Sequence, residues 1–243
     1  MDLEPASAAP ALTTAPRGVL ADFRAFLRRP AVLAPAGLRA PGALPHWAVI
    51  TGLQIAGLVL LLPLLHFWQS AFKLPSPDAF GQVSPELLPW IVVVIAPLLE
   101  ELLFRGWQSG RPRALWLLAG SVLLGAVLVT VRPENIELTG TAALTVAGLT
   151  GLGWFLLRKR GVIGWFARGF PVIFYLGAAL FALPHLANYP SVSLLALPLV
   201  LPQAWAALTL GYLRQRIGLV AAILAHATSN GLMLLAAVVA SPY

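Results

Sequence analysis

The sequence predicts an all-α protein, a polytopic transmembrane helix bundle of about seven spans. Hydrophobic residues make up 59% of the 243 residues and charged residues only 10%, whereas an ordinary soluble domain has about 45–50% and roughly 25%. Seven segments also approach the roughly 20 apolar residues with which a helix crosses a bilayer. These segments are 46–67, 86–104, 114–131, 139–157, 169–187, 192–212 and 217–240.

Residues 1–45 precede the first span and are expected to form a cytoplasmic N-terminal segment. Within 18–29, the apolar residues fall on one side of a helix and the charged residues on the other. The apolar side holds Val19, Leu20, Phe23, Phe26 and Leu27, and the charged side Asp22, Arg24, Arg28 and Arg29. This pattern is typical of an amphipathic helix at a membrane interface, and equally of a helix packed against the bundle. Residues 46–243 are expected to form a single transmembrane domain.

The distribution of basic residues predicts the orientation. All Lys and Arg except Lys73 and Arg132 lie before the first span or in alternate loops. Because cytoplasmic loops carry an excess of Lys and Arg, the N-terminus is expected in the cytoplasm and the C-terminus outside. The net charge of +7 is thus a topology signal and does not indicate nucleic-acid binding. The composition and compact loops suggest a bacterial inner membrane protein, and the absence of Cys excludes disulfides and thiolate chemistry.

Two adjacent carboxylates, Glu100 and Glu101, lie at the end of the second apolar segment. Ionisable groups in hydrocarbon are costly, and those that persist usually face a partner or a polar cavity. Residues four apart share a helix face, so Glu101 can pair with Arg105. Glu100 then points about 100° away from that pair. A Glu pair alone would more often be an interfacial anchor.

Further polar residues lie in the fifth and seventh spans. The fifth span ends at His185, four residues after Phe181, and the seventh contains His226 and Asn230, again four residues apart. One intramembrane His is often only a hydrogen-bonding partner of a neighbouring helix. The combination of two His, an Asn and two Glu favours a functional site. The other two histidines, at the two ends of the first span, are interpreted as interfacial residues.

These residues, in this order, resemble the three motifs of the CPBP (CAAX protease and bacteriocin-processing) intramembrane proteases, which include type II CAAX prenyl endopeptidases. The motifs read Glu100-Glu101-x-x-x-Arg105, Phe181-x-x-x-His185 and His226-x-x-x-Asn230. The resemblance is concentrated in 88–110 and 170–235. The first and second motifs are farther apart than we expect of a bacterial relative. Residues 114–157 are therefore interpreted as a two-span insertion, which preserves the direction of the helices that follow.

The resemblance implies an intramembrane endopeptidase that hydrolyses a peptide bond of a membrane-associated peptide or protein near the cytoplasmic face. The implied catalytic residues are Glu100, Glu101, Arg105, His185, His226 and Asn230. In a metal-free version, Glu100 and His185 activate water, Glu101 and Arg105 hold the geometry, and His226 and Asn230 stabilise the oxyanion. In a metalloprotease version, Glu100, His185 and His226 bind one divalent ion such as zinc. The sequence leaves both versions open, and it has no His-Glu-x-x-His motif.

Two other classes of function are compatible with buried Glu and His residues. One is an ion-coupled transporter or proton relay, although transporters commonly contain inverted repeats and none is visible here. The other is a non-catalytic membrane scaffold or immunity factor, which the intact motifs disfavour. The expected partners are a membrane-anchored substrate and the lipid bilayer. The sequence does not specify whether the substrate is prenylated.

Overall fold

The structure is a computed structural model that describes residues 12–78, 83–130 and 135–240; within these ranges it contains helices and no strand. The α-helices are α1 (Pro16–Arg28), α2 (Ala43–Ala71), α3 (Ala96–Arg105), α4 (Pro112–Thr130), α5 (Ile136–Leu156), α6 (Gly164–Ala182), α7 (Leu201–Arg216) and α8 (Leu219–Ala240). A π-helix, Trp90–Ile95, leads directly into α3, and 3-10 helices cover Gly106–Ser109, Leu183–Asn188 and Leu194–Val200. The predicted all-α class is confirmed.

Six helices of the described chain are long and apolar enough to cross a membrane. They cover Ala43–Ala71, Pro112–Thr130, Ile136–Leu157, Gly164–Asn188, Leu194–Arg216 and Leu219–Val239. The predicted span 86–104 is not among them, because its regular part is the shorter compound helix formed by the π-helix and α3. The ionisable residues Glu100, Glu101 and Arg105 occupy the end of that helix. The six apolar helices make this an integral membrane protein. The helix that ends in α3 differs from them because it is shorter and carries ionisable residues.

The predicted N-terminal amphipathic helix is present as α1, but protein covers its apolar face. Val19, Phe23 and Phe26 are buried, and the Phe23 and Phe26 rings both contact the Tyr212 ring edge-to-face at 5.1 and 5.3 Å. On the same side, Asp22 accepts a hydrogen bond from the Tyr212 hydroxyl at 2.8 Å. Packing against the bundle, the second alternative for this helix, is what the structure shows.

Helix α7 lies at the centre of the bundle and packs against α2, α6 and α8. Leu210, Tyr212 and Leu213 are fully buried along it. Small residues let membrane helices approach closely, and Gly211 does so here, since a Cβ at this position would lie 2.7 Å from the Phe174 ring of α6. This packing fixes α6 and α8; His185 follows directly after α6, and His226 lies on α8.

The α4–α5 hairpin is peripheral. The two helices pack mainly against each other, and the main other contact of α4 is with Gly106–Ser109. Within the hairpin, the Trp116 indole donates to the Thr150 carbonyl at 3.1 Å. Neither helix has a buried residue. The interpretation of 114–157 as an insertion stays a prediction; the connecting residues 131–134 lie outside the described chain.

Candidate active site

The last two turns of α3 place a buried ion pair inside the bundle. Nη1 of Arg105 donates to Oε1 of Glu101 at 2.8 Å, the i, i+4 pair predicted from spacing. Glu101 is 0% and Arg105 1% exposed. The guanidinium also lies 3.8 Å from the centre of the Phe181 ring, a favourable cation–π contact. The charge of Arg105 is thus satisfied by a carboxylate on its own helix and an aromatic face on α6.

His226 connects this pair to α8. Its Nδ1 lies 2.9 Å from the Glu101 oxygen that also bonds Arg105. Its Nε2 faces the neighbouring Glu100, with 3.9 Å between Nε2 and Oε2, which is beyond a direct hydrogen bond. The two adjacent carboxylates therefore contact opposite nitrogens of one imidazole. Glu101 orients the ring, and Glu100 lies across a short gap from its other nitrogen.

Glu100 lies on a cavity of about 570 Å³ that also receives the other candidate side chains. The cavity is lined by His185, His226 and Asn230, and by Gln54 and Gln203. Oε2 of Glu100 is buried and has no hydrogen-bond partner among the described residues. Buried polar atoms are normally satisfied, if necessary by an ordered water. Glu100 thus brings to the cavity wall a carboxylate that has one unpaired oxygen.

His185 reaches this cavity because α6 ends just before it. The chain tightens into the 3-10 helix Leu183–Asn188, and Nδ1 of His185 lies 2.9 Å from the Phe181 carbonyl oxygen. Counting 1.5 Å per residue from Pro171, near the start of the fifth predicted span, places His185 deeper in the membrane than Glu100. The structure removes that difference, since Gln108, just beyond α3, lies beside Gly177 in the second half of α6. Helix α6 therefore begins well outside the level at which α3 ends.

Asn230 is held by the π-helix. Its Nδ2 donates to the Val92 carbonyl at 2.9 Å, which ties α8 to the segment that leads into α3. Single-turn π segments are frequent at functional sites. The amide lines the same cavity as Glu100 and His226. All six predicted site residues thus lie in or directly behind one cavity.

Among the polar residues at the site that were not predicted from the sequence, Gln54 and Ser229 are linked to His226. Nε2 of Gln54 donates to Oγ of Ser229 at 2.9 Å, and that hydroxyl donates to the His226 carbonyl at 2.9 Å. Both residues are buried. The sequence feature that could have identified Gln54 is its polar amide in the middle of the first apolar span. An intramembrane polar side chain usually has a partner in the bundle.

The described residues do not form the predicted three-ligand metal site in this arrangement. No group of three His, Asp or Glu side chains within residues 12–78, 83–130 and 135–240 is placed to hold a metal ion. Nδ1 of His226 lies on Glu101 and Nδ1 of His185 lies on a backbone carbonyl. Contacts of this kind orient a metal-binding His as readily as a catalytic one, because they leave Nε2 of the ring free.

A protein-family model, Type II CAAX prenyl endopeptidase Rce1-like, matches residues 83–232, more than half of the chain. The match contains all three motifs, and therefore all six candidate site residues. No curated protein and no solved structure matches the chain. The chain belongs to the Rce1-like family of type II CAAX prenyl endopeptidases, and it is an intramembrane protease of the CAAX type.

Proposed function

We propose that this protein hydrolyses a peptide bond of a membrane-anchored peptide or protein near the cytoplasmic face, with water activated by Glu100 and His185. One observation carries the proposal. Of two adjacent carboxylates, Glu101 is buried and neutralised by Arg105, whereas Glu100 is partly exposed and faces a cavity that contains both histidines. Adjacent acids in different surroundings are suited to different roles, one structural and one catalytic.

Glu100 has the geometry of a general base. A base must lie within hydrogen-bond reach of the proton that it removes, directly or through one water. Glu100 lines the cavity together with His185, and its Oε2 has no hydrogen-bond partner among the described residues. A water bound there would transfer a proton to Glu100 as its oxygen attacks the scissile carbonyl. Collapse of the tetrahedral intermediate then breaks the C–N bond, and Glu100 returns the proton to the leaving amine.

His226 and Asn230 are placed to stabilise the oxyanion that this attack creates. Nδ1 of His226 lies 2.9 Å from Glu101, which orients the ring, and an N–H group at Nε2 would donate to the oxyanion. Nδ2 of Asn230 has two N–H groups and uses one on Val92. Preorganised donors of this kind contribute about 10²–10³ in kcat each. Arg105 takes no part in the chemistry and holds Glu101 in position.

The location of cleavage follows from the proposed topology. We assign the arginine-rich end of the bundle to the cytoplasm by the positive-inside rule, with a bacterial inner membrane as the setting. Glu100 lies on the last helical turns before that end, because α3 stops at Arg105. The substrate bond would therefore be cut in the cytoplasmic half of the bilayer, with or without a prenyl group on the substrate.

The test is cleavage of membrane-anchored reporter peptides by purified protein in nanodiscs. Wild type, Glu100→Gln, His185→Ala and His226→Ala are compared, with Glu137→Gln as the matched control because Glu137 is exposed at the start of α5. We expect cleavage to be lost in the first three variants and kept in the control. Zinc bound stoichiometrically in wild type and lost together with activity would select the metal version. Cleavage that persists in all variants would contradict the proposal, as would ion flux in proteoliposomes without cleavage.

A further inference from the structure

A second cavity, of about 600 Å³, lies at the arginine-rich end of the bundle and is separate from the candidate active site. Its wall combines the loop 32–35, the turn after α3, the start of α4, the end of α5 and the end of α7. Three arginines line it: Arg111, Arg113 and Arg214. The α4–α5 hairpin contributes Arg113, Ala114, Leu117 and Trp154 to its wall.

The positive charge of this cavity is not compensated. No acidic residue lines it among the described residues, and none of its arginines forms an ion pair with a described residue. Arg214 is only 8% exposed, and its Nε donates to the Arg105 carbonyl at 3.0 Å. Its remaining guanidinium nitrogens have no hydrogen-bond partner in the described chain. A cation at a mostly buried position is costly without a counter-charge, so the unpaired guanidinium nitrogens of Arg214 are available to an anion in this cavity.

The basic cavity continues into an apolar groove of about 530 Å³ between α3 and α4. The two share Gly106, Ala114 and Leu117. From this shared neck the groove follows leucine side chains of both helices, as far as Leu99 on α3 and Ser121 on α4. Seven residues of helix correspond to about 10 Å. The complete site therefore has a cationic mouth and a hydrocarbon-lined extension toward the middle of the membrane.

We propose that this site binds an anionic phospholipid, with the phosphate between Arg111, Arg113 and Arg214 and one acyl chain in the groove. Arginine matches phosphate oxygens with paired N–H donors, and basic pockets between transmembrane helices bind anionic lipid head groups. A free phosphate would fill only the mouth. The groove is the observation that favours a lipid. The proposal does not depend on the proposed proteolysis, because none of the residues that line the site is a candidate catalytic residue.

The test is lipid retention by the purified full chain, measured by native mass spectrometry after incubation with phosphatidylglycerol or with phosphatidylcholine of the same acyl chains. Wild type is expected to retain phosphatidylglycerol preferentially. The double variant Arg111→Gln/Arg113→Gln should weaken that binding by about 25-fold, at about fivefold for each arginine. The matched control is Lys159→Gln/Arg160→Gln, which removes the same charge from exposed positions that do not line the cavity. This control should retain the lipid.

Two further experiments distinguish a lipid from a free phosphate. Ala114→Phe narrows the shared neck without changing charge, and it should reduce retention of phosphatidylglycerol while the helix content seen by circular dichroism is unchanged. Inorganic phosphate should not displace the lipid. Equal retention of both lipids, equal losses in the test and control pairs, or displacement by inorganic phosphate would each overturn the proposal.

Discussion

Nδ1 of His226 lies 2.9 Å from Oε1 of Glu101, the same oxygen that accepts a hydrogen bond from Arg105. This contact joins α8 to a buried ion pair on α3. A positioned carboxylate orients the imidazole ring, and the other nitrogen of His226 then faces Glu100. Glu101 thus orients the His226 ring, whereas Glu100 is the proposed base.

Replacing Glu101 by Gln should destabilise the protein and abolish proteolysis. Arg105 is 1% exposed, and breaking a buried pair by removing one partner costs about 3–5 kcal/mol. We expect a clear fall in Tm by intrinsic fluorescence. Glu86→Gln is the control, since this residue is exposed and forms no ion pair with a described residue. An unchanged Tm for Glu101→Gln would show that the pair does not stabilise the fold.

Replacing Gln54 by Leu should lower activity with little effect on stability. Its Nε2 bonds Ser229 beside His226, whereas its Oε1 already has no hydrogen-bond partner among the described residues. We expect kcat/KM to fall by about fivefold, the equivalent of one net hydrogen bond. Ser229→Ala breaks the same bond, so the double variant should be no worse than either single variant. Strictly additive losses would show that the two residues act separately.

Replacing Gly211 by Ala should loosen α7 from α6. The new Cβ would lie 2.7 Å from the Phe174 ring, and overpacking of this kind typically costs about 1–3 kcal/mol. Gly125→Ala on α4 is the matched control, because a Cβ there meets no heavy atom within 4 Å. Denaturation in detergent should show a lower midpoint for Gly211→Ala only. Equal midpoints would mean that α6 can shift without cost.

Replacing Asp22 by Asn should release α1 from the bundle. Asp22 accepts from Tyr212 at 2.8 Å and also pairs with Arg216. Hydrogen bonds to charged groups contribute about 1.5–3 kcal/mol. We expect faster hydrogen exchange in residues 16–28, with Asp78→Asn at an exposed position as the control. Exchange that stays slow would indicate that the apolar face of α1 suffices to hold it.

Local spacing predicted the parts of the site that lie within one helix. Glu101 and Arg105 pair because residues four apart share a face, and this needs no knowledge of the fold. The all-α membrane class followed from composition in the same way. The helix Trp90–Arg105 was harder to predict, because an apolar run gives no sign of the π-helix that begins it.

Contacts between helices could not be predicted from one sequence. The depth of His185 depends on where α6 begins relative to α3, and residue counting assumes that all helices start at one level. The apolar pattern of α1 fits lipid and protein equally, and only Tyr212 and its neighbours decide between them. The bond from Gln54 to Ser229 crosses from α2 to α8, so spacing within a helix carries no information about it.

The most direct measurement is single-turnover cleavage by Glu100→Gln, with binding of the same membrane-anchored peptide measured in parallel. Gln keeps the shape of the side chain but cannot accept the proton from water. We predict unchanged binding and a cleavage rate lower by about 10²–10⁴, the range of general acid–base catalysis. Cleavage at the wild-type rate would contradict the assignment of Glu100 as the base, and with it the proposed mechanism.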